Sequence, residues 1–531
     1  MTSGLLTDAA QQPDPDIIPG GRPAAADQPR QTGPGGVPEI VRRRLARPIG
    51  SDSMSWLATG VVVLIAGVLR LYNLRHPPGK IFDELYYATE GQSLLQHGVE
   101  WGEEGPKYVV HPPLGKWCIA LGEWLFGYNE FGWRISAAMA GIVCVLMMVR
   151  IARRLFRSTI LGCAAGLLLA LDGMHFVLSR TALLDIFLVF FILAAFCCLV
   201  LDREQRRARW LAALEAGLDP TAPDADRRAK LGVPWWRLGA AVMLGCVGGV
   251  KWSAIYYVLG FVALMMFWEI STRRSAGVPN PISRAALPAI GWAAAMVGIA
   301  LSVYLLSWSG WFLTDGGYYR HHLRDTGNTE GPFAALQNLW HYHHEAFKFH
   351  TGLSTKHKYQ SWPWQWLLLG RPVAFYWSGD GPCGAASCAA EVLLLGTPLL
   401  WWSFLPALAA MTWLGISRRD WRVLGIGVSV ALGILPWFWN HLENRTMFYF
   451  YAAPAGPFLI LAVVYVLGAI IGPKPGTPGV DPDRRLYGAL IAGAYVVLVA
   501  ANFAYFYPIY TGQNLSYASW FTRMWLGNRW V

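Results

Sequence analysis

Long apolar runs separated by short polar segments form the dominant pattern of this chain. Several of the runs exceed the roughly 18 apolar residues that indicate a membrane-spanning helix. The pattern predicts eleven such spans, with the boundaries 56–74, 131–149, 159–176, 183–201, 237–250, 252–270, 286–306, 391–415, 421–438, 446–471 and 486–508. We therefore expect an all-α polytopic membrane protein.

Basic residues are concentrated in alternate loops between these runs. Cytoplasmic loops carry an excess of Arg and Lys. This rule places the N-terminus in the cytoplasm, together with loops 150–158, 202–236, 271–285, 416–420 and 472–485. The outer face then carries two long loops, 75–130 and 307–390, and the C-terminal tail 509–531. Residues 51–531 would form one membrane domain.

Two segments fit this pattern less simply. Residues 114–127 are apolar but only 14 residues long, and they contain Lys116 and Glu123. We interpret them as a re-entrant or surface-lying segment, because an additional span would move the next basic loop to the outer face. In the hairpin 237–270 the first arm is short, and Lys251 lies at the turn.

Composition separates the N-terminal segment from the rest of the chain. Residues 1–50 are rich in Pro, Gly, Ala and Asp and poor in aromatic residues. Such a segment cannot bury enough apolar surface to become ordered, so we expect a disordered cytoplasmic tail. The whole chain has a formal net charge of +11. Because the arginines lie in short clusters between apolar runs, this charge indicates membrane topology and no nucleic-acid partner.

The cysteines fall into two groups. Six of the eight lie in or beside apolar runs, where we interpret them as packing residues. Cys383 and Cys388 instead flank a Gly-Ala-Ala-Ser turn in a polar loop. These two would form a disulfide if that loop faces an oxidising compartment.

Two adjacent carboxylates in the first outer loop are the clearest chemical signal. Asp83 and Glu84 precede residues 85–97, which we predict to form a short helix that ends at Gly98. Asp83 would suit the N-cap of this helix, but a cap does not explain the second carboxylate. Near a low-dielectric boundary a carboxylate can have a raised pKa and act as a general base. Both hypotheses for Asp83 stay open at this point.

Two cations lie beside apolar runs on the same predicted face. Arg180 belongs to SRTALLD and Lys251 to GGVKW. A charge in the hydrocarbon region costs about 2.5–3.5 kcal/mol, so each is either an interfacial side chain that reaches water or a clamp for phosphate. A guanidinium suits phosphate by its fork geometry, and Asp172 and Asp185 are candidate partners that would orient Arg180.

Histidines accumulate in the outer loops. His111 lies beside Lys116 in HPPLGKW, and the second long loop contains His341, His343, His344, His350 and His357. Their spacing fits no closed zinc site, and no cysteine joins them. We therefore expect no cofactor, although the sequence leaves a divalent metal open. Contacts of this loop to sugar, peptide or phosphate fit better.

These residues indicate an enzyme that acts on a lipid-linked phosphate at a membrane surface. A proton-coupled transporter would also use carboxylates and an arginine along its pathway. Such a transporter is expected to carry its charges at mid-span, whereas here nearly all of them lie at the outer ends of the spans.

Several motifs match a known family of membrane enzymes. With FDELYYA, HPPLGKW, LDGMHFVLSRTALLD, GGVKWSAIYY and FHTGLSTKHKYQSWPWQW, the chain resembles the protein O-mannosyltransferases. These form glycosyltransferase family 39 of the GT-C superfamily. The resemblance runs from about residue 56 to the C-terminus. It implies an inverting transfer of mannose from a polyprenyl-phosphate-mannose donor to Ser or Thr of secreted proteins, outside the cytoplasmic membrane.

The resemblance also implies roles for individual residues. Asp83 would take the proton from the acceptor hydroxyl, and Glu84 would be the second acidic residue, which positions the acceptor or the site. Arg180 would bind the phosphate of the donor, and the residues of the matching loop that would shape the site are His350, His357, Tyr359 and Trp364. From the residues themselves we add Lys251 as a second phosphate-binding cation, and His111, Lys116 and Asp185 as site-shaping residues.

The length of the second long loop indicates which type of family member the chain resembles. Eukaryotic members carry a β-trefoil (MIR) domain in the long outer loop, and loop 307–390 is too short for it. The chain therefore resembles a bacterial member of the cytoplasmic membrane, which would meet its acceptors near the protein-secretion channel. A GT-C enzyme with a cell-wall glycan or lipid acceptor, and a lipid-sugar transporter, stay open as alternatives.

Overall fold

A computed structural model of this protein describes residues 36–45, 49–473, 481 and 483–530. Helices form most of it. The first half contains α1 (Glu39–Arg44), α2 (Ser53–Leu71), α3 (Glu84–His97), α4 (Leu114–Phe126), α5 (Glu130–Phe156), α6 (Thr159–Ala170), α7 (Gly173–Leu178), α8 (Leu184–Glu215), α9 (Ala225–Arg228), α10 (Trp235–Val250) and α11 (Ile255–Ala276). The second half contains α12 (Pro281–Ser307), α13 (Ser309–Leu313), α14 (His322–Asp325), α15 (Ala334–Gly352), α16 (Pro363–Trp366), α17 (Pro398–Trp402), α18 (Phe404–Arg418), α19 (Trp421–Ile434), α20 (Pro436–Leu442), α21 (Gly456–Ile471), α22 (Arg484–Thr511) and α23 (Tyr517–Phe521).

Within the described residues, nine helical segments are long and apolar enough to cross a membrane. They are Ser53–Leu71, Glu130–Phe156, Leu184–Glu215, Ile255–Ala276, Pro281–Ser307, Pro398–Arg418, Trp421–Leu442, Tyr449–Ile471 and Arg484–Thr511. The two other predicted spans, 159–176 and 237–250, correspond to the shorter apolar helices α6 and α10. The all-α polytopic fold is confirmed, whereas the count of eleven spans is not.

Polar side chains fix the starts of several helices next to the first long loop, residues 75–130, and the apolar runs that follow it. Asn129 accepts hydrogen bonds from the backbone N–H groups of Phe131 and Gly132, at 3.1 Å each, and so begins α5. Asp172 caps α7 in the same way. The predicted span 159–176 is therefore divided, because α6 ends at Ala170 and a separate short helix follows the cap.

A small antiparallel sheet replaces the first part of one predicted span. Its strands are β3 (Val373–Ser378), β4 (Cys388–Leu394) and β5 (Leu515–Ser516), while β1 (Trp101–Gly102) and β2 (Gly105–Pro106) pair separately. The prediction of a helix over 391–415 is wrong for its first residues, since they form β4 and the helix begins only at Pro398. A short apolar run fits a buried strand as well as a buried helix. The Cys383–Cys388 disulfide closes the loop between β3 and β4.

Residues 114–127 form a helix that is too short to span a membrane. This helix, α4, has 13 residues, and it packs closely on α5 at two glycines. A Cβ on Gly122 would lie 2.4 Å from the carbonyl oxygen of Gly132. Lys116 and Glu123 are both buried. Whether this segment is re-entrant or lies on the surface stays a prediction.

The N-terminal segment is partly ordered. In the described residues 36–45, Val37 and Leu45 are buried against Trp210 and Leu211, and Arg42 forms a 3.1 Å ion pair with Glu215. The expectation of disorder for residues 1–50 is therefore wrong for this part, because α1 finds a hydrophobic surface at the end of α8. Residues 1–35 and 46–48 lie outside the described residues.

Candidate active site

Asp83 lies at the start of α3, but its carboxylate does not cap the helix. It occupies the N-cap position without a capping hydrogen bond from its side chain. The predicted helix end is confirmed, because Gly98 has a positive φ of 76°. Phe82 also has a positive φ, and its ring stacks on Phe375 with the centroids 4.3 Å apart. The loop is thus held by packing, and the N-cap hypothesis does not account for Asp83.

An ion pair lies close to Asp83. Lys251 Nζ donates to both carboxylate oxygens of Asp185, at 2.9 and 2.8 Å. Burial is the main reason that the pKa of Asp83 is raised to about 6, with Lys251 acting to lower it and Asp185 and Glu90 acting to raise it. A carboxyl group with this pKa is largely ionised at pH 7 and remains basic enough to accept a proton in a reaction.

Two further residues of α3 lie near the Asp83 carboxylate, and the sequence analysis did not identify them. Tyr87 is four residues after Asp83 and Glu90 is seven, so all three share one face of the helix. Burial raises the pKa of Tyr87 well above its ordinary value, and the charge of Asp83 adds to the effect. The helical spacing from Asp83 was the signal that would have identified both.

Glu84 forms a fully buried contact of its own. Its Oε1 and Oε2 accept from Nε and Nη2 of Arg134, each at 2.8 Å. They also accept from the backbone N–H groups of Ala182 at 2.9 Å and Ile81 at 3.0 Å. Every oxygen is therefore engaged by protein groups, and the geometry supports a positioning role for Glu84 rather than contact with a substrate.

Arg180 donates hydrogen bonds to backbone carbonyl groups at the end of the first span, α2. Its Nη1 donates to the carbonyl oxygens of Arg70 and Tyr72, both at 2.8 Å, and its Nη2 donates to that of Asn73 at 2.9 Å. These are the carbonyl groups that a helix end leaves without partners. The contacts of Arg180 thus explain its position without a phosphate, and they do not support the predicted donor-binding role.

The predicted partners of Arg180 are elsewhere. Asp185 pairs with Lys251, as described above. Asp172 accepts from the Trp401 indole at 2.7 Å and from the backbone N–H of His175 at 3.3 Å. The prediction that either carboxylate orients Arg180 is wrong, because backbone carbonyl groups satisfy its guanidinium.

Lys116 is fully buried between acidic side chains. Its Nζ lies 2.5 Å from Glu100 Oε1 and 3.5 Å from Glu90 Oε2, and Glu90 also pairs with Lys107 at 3.0 Å. This network ties α4 to α3. Lys116 therefore contacts the Asp83 face of α3 through Glu90, and its charge is paired within this network.

His111 and His350 meet beside the Lys251 pair. Their ring centroids are 5.3 Å apart, and His350 Nε2 lies 3.0 Å from the carbonyl oxygen of Val110. Burial lowers the pKa of His111 well below its ordinary value, and the charge of Lys251 contributes. Burial likewise lowers the pKa of His350. Both imidazoles are thus neutral near pH 7 and suit hydrogen bonding better than charge neutralisation.

Arg445 is a second cation of this site that the sequence analysis did not assign. Its Nε donates to the carbonyl oxygen of His350 at 2.9 Å. Its guanidinium lies 5.7 Å from the ring centroid of Tyr451, and its positive charge acts on His111. An isolated arginine in the short turn HLENRT, between two apolar runs, was the available signal.

The remaining predicted residues form an aromatic wall on the loop 357–364. The ring of His357 packs on Phe448 at 5.1 Å, and Phe448 stacks on Phe450, which lies 5.8 Å from Lys251 Nζ. Tyr359 lies between the cations Lys358 and Arg371.

Trp364 lies further out on this wall. Its ring lies 4.5 Å from that of His441, and it borders a cleft of about 600 Å³ lined also by Gln360, Leu368 and Arg529. His357 thus connects to the Lys251 pair through stacked rings, whereas Trp364 faces a separate cleft.

No group of three His, Cys, Asp or Glu residues within the described part of the chain is arranged to hold a metal ion. Asp83 instead has a cation, Lys251, paired with a second carboxylate. This arrangement supplies a base next to positive charge, which suits attack by a hydroxyl group with departure of an anion.

Comparison with known proteins identifies the family. The model for dolichyl-phosphate-mannose-protein mannosyltransferases matches residues 60–219, and the model for the C-terminal four-transmembrane region of protein O-mannosyltransferase matches residues 335–530. A polyprenol-phosphate-mannose–protein mannosyltransferase of Mycolicibacterium smegmatis is 41% identical over 493 residues, which cover 89% of this chain and 93% of the relative. The chain belongs to the protein O-mannosyltransferase family.

Other comparisons agree with this family membership. The enzyme of the same name from Corynebacterium glutamicum is 33% identical over 481 residues, or 87% of this chain and 90% of the relative. The S. cerevisiae protein O-mannosyltransferase complex bound to the sugar donor has the same fold, with a TM-score of 0.68 at 15% identity over 91% of this chain and 93% of the other. The expected GT-C-type membrane fold is therefore confirmed, and the family membership favours the mannosyltransferase hypothesis over the glycan-transferase and transporter alternatives.

Proposed function

We propose that this chain transfers mannose from a polyprenyl-phosphate-mannose donor to Ser or Thr hydroxyl groups of secreted proteins, with inversion at the anomeric carbon. The names of its relatives support the donor and the protein acceptor. The proposed chemistry rests on the environment of Asp83. Its pKa is raised, its side chain forms no capping hydrogen bond to the helix, and it lies beside the Lys251–Asp185 ion pair.

Asp83 would act as the general base. A Ser or Thr hydroxyl is a weak nucleophile at neutral pH and needs a group that takes its proton as it attacks. The hydroxyl oxygen bonds to the anomeric carbon while the bond from that carbon to the phosphate oxygen breaks. The proton passes to Asp83, and the phosphate leaves with the electron pair. A single displacement of this kind inverts the anomeric carbon and needs no covalent enzyme intermediate.

Positive charge for the leaving phosphate would come from Lys251 and Arg445. The phosphate leaves as an anion, so it needs stabilisation by cations and no proton from an acid. Arg445 uses Nε to hold the carbonyl oxygen of His350, which leaves the rest of its guanidinium facing Tyr451. Arg445 thus takes the role that the sequence analysis gave to Arg180.

Glu84 would position the base without touching the substrate. Through Arg134 and the backbone of Ala182, it fixes the residue next to Asp83 against two other segments of the chain. Such fixation keeps a catalytic group in its productive geometry.

We place the reaction at the outer face of the cytoplasmic membrane of a bacterium. The distribution of Arg and Lys among the loops supports a cytoplasmic N-terminus and an outer position for Asp83 and the C-terminus. Acceptor proteins would then reach the enzyme as they leave the secretion channel.

The test uses the purified full-length protein in detergent, with radiolabelled polyprenyl-phosphate-mannose and a Thr/Pro-rich peptide. We expect label on the peptide with wild type, none with Asp83→Asn, and wild-type transfer with Glu103→Gln, an exposed acid of the same loop. Donor binding and thermal stability of Asp83→Asn should stay unchanged. Label that appears only on a polysaccharide would support the glycan transferase, and label that never leaves the lipid would support the transporter.

A further inference from the structure

Helix α15, in the second long outer loop, has an exposed apolar stripe. Leu336, Trp340 and Phe347 are 49%, 76% and 59% exposed, and Phe333 just before the helix is 67% exposed. At roughly 100° per residue these four positions fall within about 60° of one another. Phe349 is the exposed apolar side chain of this helix outside the stripe, and its ring contacts His350.

Two other arcs complete the helix. The arc on one side of the stripe is buried in the protein and contains Leu339, Tyr342 and Ala346. The arc on the other side is polar and consists of Gln337, His341, His344, Glu345 and Lys348. A helix at the surface of a soluble protein has only a buried and a polar face. An apolar stripe between the two is the arrangement of a helix that lies along a membrane interface.

The contacts of the buried arc place α15 at the level of a membrane surface. Tyr304, in the last turn of the span α12, lies 2.5 Å from His343 Nε2 through its hydroxyl. Trp308 follows the end of that span, and its ring lies 5.1 Å from that of Tyr342. The helix therefore packs across the end of a membrane span.

Exposed apolar side chains also occur in the helices next to α15. In the adjoining elements Leu306 is 69% exposed and Leu313 is 85% exposed. The span α12 is itself among the least buried of the nine, with 17% of its most apolar stretch inside the protein. The side of α12 that faces away from the protein is therefore exposed to lipid. The stripe of α15 therefore belongs to a helix that packs on the end of a lipid-facing span.

We propose that α15 is an interfacial helix that inserts Leu336, Trp340 and Phe347 into the outer leaflet of the membrane. The last turn of the same helix contacts the candidate active site, because His350 Nε2 lies within hydrogen-bond distance of the carbonyl oxygen of Val110 and its ring lies beside that of His111. The insertion therefore sets the depth of this edge of the protein, and with it the height of the site above the bilayer.

Photolabelling tests the insertion without any substitution and without the proposed function. The full-length protein is placed in liposomes that contain a phospholipid with a diazirine on its acyl chain, irradiated and mapped by mass spectrometry. We expect label on Trp340 and Phe347, none on His344 or Lys348, and label on Leu301 of α12 as the internal control. Labelled Leu301 with unlabelled Trp340 and Phe347 would overturn the proposal.

A kinetic test addresses the depth of the site and rests on the proposed function. In liposomes, Trp340→Glu should raise KM for a long-chain polyprenyl-phosphate-mannose about tenfold, the size expected when one large apolar side chain leaves lipid. With a short-chain, water-soluble donor its kcat and KM should equal those of wild type, because that donor is not tied to the bilayer. Lys348→Glu, on the polar arc, should behave as wild type with both donors.

The outcomes separate the two proposals. Equal loss of Trp340→Glu activity with both donors, or no loss with either, would overturn the role of α15. Absence of transfer by wild type with both donors would instead reject the proposed function and leave the photolabelling result valid. Unchanged thermal stability of Trp340→Glu would show that the variant folds.

Discussion

Glu84 and Arg134 form a two-point ion pair in which both side chains are fully buried. The pair connects the residue after Asp83 to the first third of α5. Arg134 also donates to the carbonyl oxygens of Pro77 at 2.8 Å and Gly79 at 3.0 Å. One guanidinium therefore holds the loop that leads into Asp83 and the helix that follows it.

The first prediction concerns this pair. Glu84→Gln keeps the shape of the side chain but leaves the Arg134 charge buried without its counterion. Loss of one partner of a buried pair costs about 3–5 kcal/mol, so we expect a marked fall in thermal stability together with the loss of transfer. The comparison is Asp83→Asn, which should lose transfer and keep its stability. A Glu84→Gln variant as stable as wild type would contradict the positioning role.

A second prediction concerns the extent of the loss at Asp83. General-base catalysis typically contributes about 10²–10⁴-fold, so Asp83→Asn should lower kcat by at least about 100-fold with little change in KM for the donor. Asp83→Glu retains a carboxyl group on a longer side chain and should recover part of the activity. Single-turnover kinetics with labelled donor measures both effects. Equal activity of Asp83→Asn and wild type would show that another group is the base.

The third prediction is a pH profile. A general base acts in its ionised form, and the pKa of Asp83 is raised to about 6. Transfer should therefore be low at pH 5, rise through about pH 6 and level off above pH 7. The rise should move to lower pH in Glu90→Gln, since the charge of Glu90 raises the pKa of Asp83. A profile that falls between pH 5 and 7 would oppose the assignment.

The fourth prediction tests Arg445. Arg445→Gln should raise KM for the donor and weaken binding of polyprenyl phosphate by about tenfold or more, because one charge-assisted contact to a phosphate is lost. Lys358→Gln is the matched control, since Lys358 is an exposed cation on the aromatic wall beyond His357. Arg180→Gln should mainly lower stability, as its guanidinium binds backbone carbonyl groups. Arg445→Gln with wild-type donor affinity would remove it from the phosphate site.

The fifth prediction concerns Glu123 in α4. Its two carboxyl oxygens are buried without a hydrogen-bond partner among the described residues, and burial raises its pKa to about 8. Above pH 4.5 the unfolded chain ionises this group while the folded protein resists ionisation, so the folded state loses stability as the pH rises toward 8. Glu123→Met should therefore stabilise the protein by about 1–3 kcal/mol, more at pH 8 than at pH 5. Thermal unfolding of wild type and Glu123→Met at pH 5 and pH 8 measures this difference in stability. A variant that is no more stable than wild type at pH 8, or whose gain is the same at pH 5 and pH 8, would refute the prediction.

Nine of the eleven predicted spans correspond to helices of sufficient length among the described residues, because long apolar runs have few alternatives in a membrane protein. The prediction failed where a run was short or mixed. The apolar residues at the start of 391–415 form strand β4, because Val373–Ser378 provides an antiparallel partner that no local pattern reveals. The docking of α1 depends in the same way on a hydrophobic surface supplied by residues far away in the chain.

The candidate site shows the same division. Asp83 was identifiable from its loop, and its face of α3 from helical spacing. The partners of Arg180 could not be identified from the sequence, because they are backbone carbonyl groups, which every residue has. Asp185 and Lys251 are 66 residues apart, and only the packing of α8 against α10 brings them together.

The bonds of Glu84 and Arg180 also bear on how the protein is made. The loop that contains Asp83 precedes its anchors Arg134 and Ala182 in the chain, and Lys251 and Arg445 follow later still. During synthesis the loop therefore emerges before these partners have been made. We expect a nascent chain that stops short of Arg445 to contain Asp83 without the cation that we propose for the phosphate, and hence without a complete site.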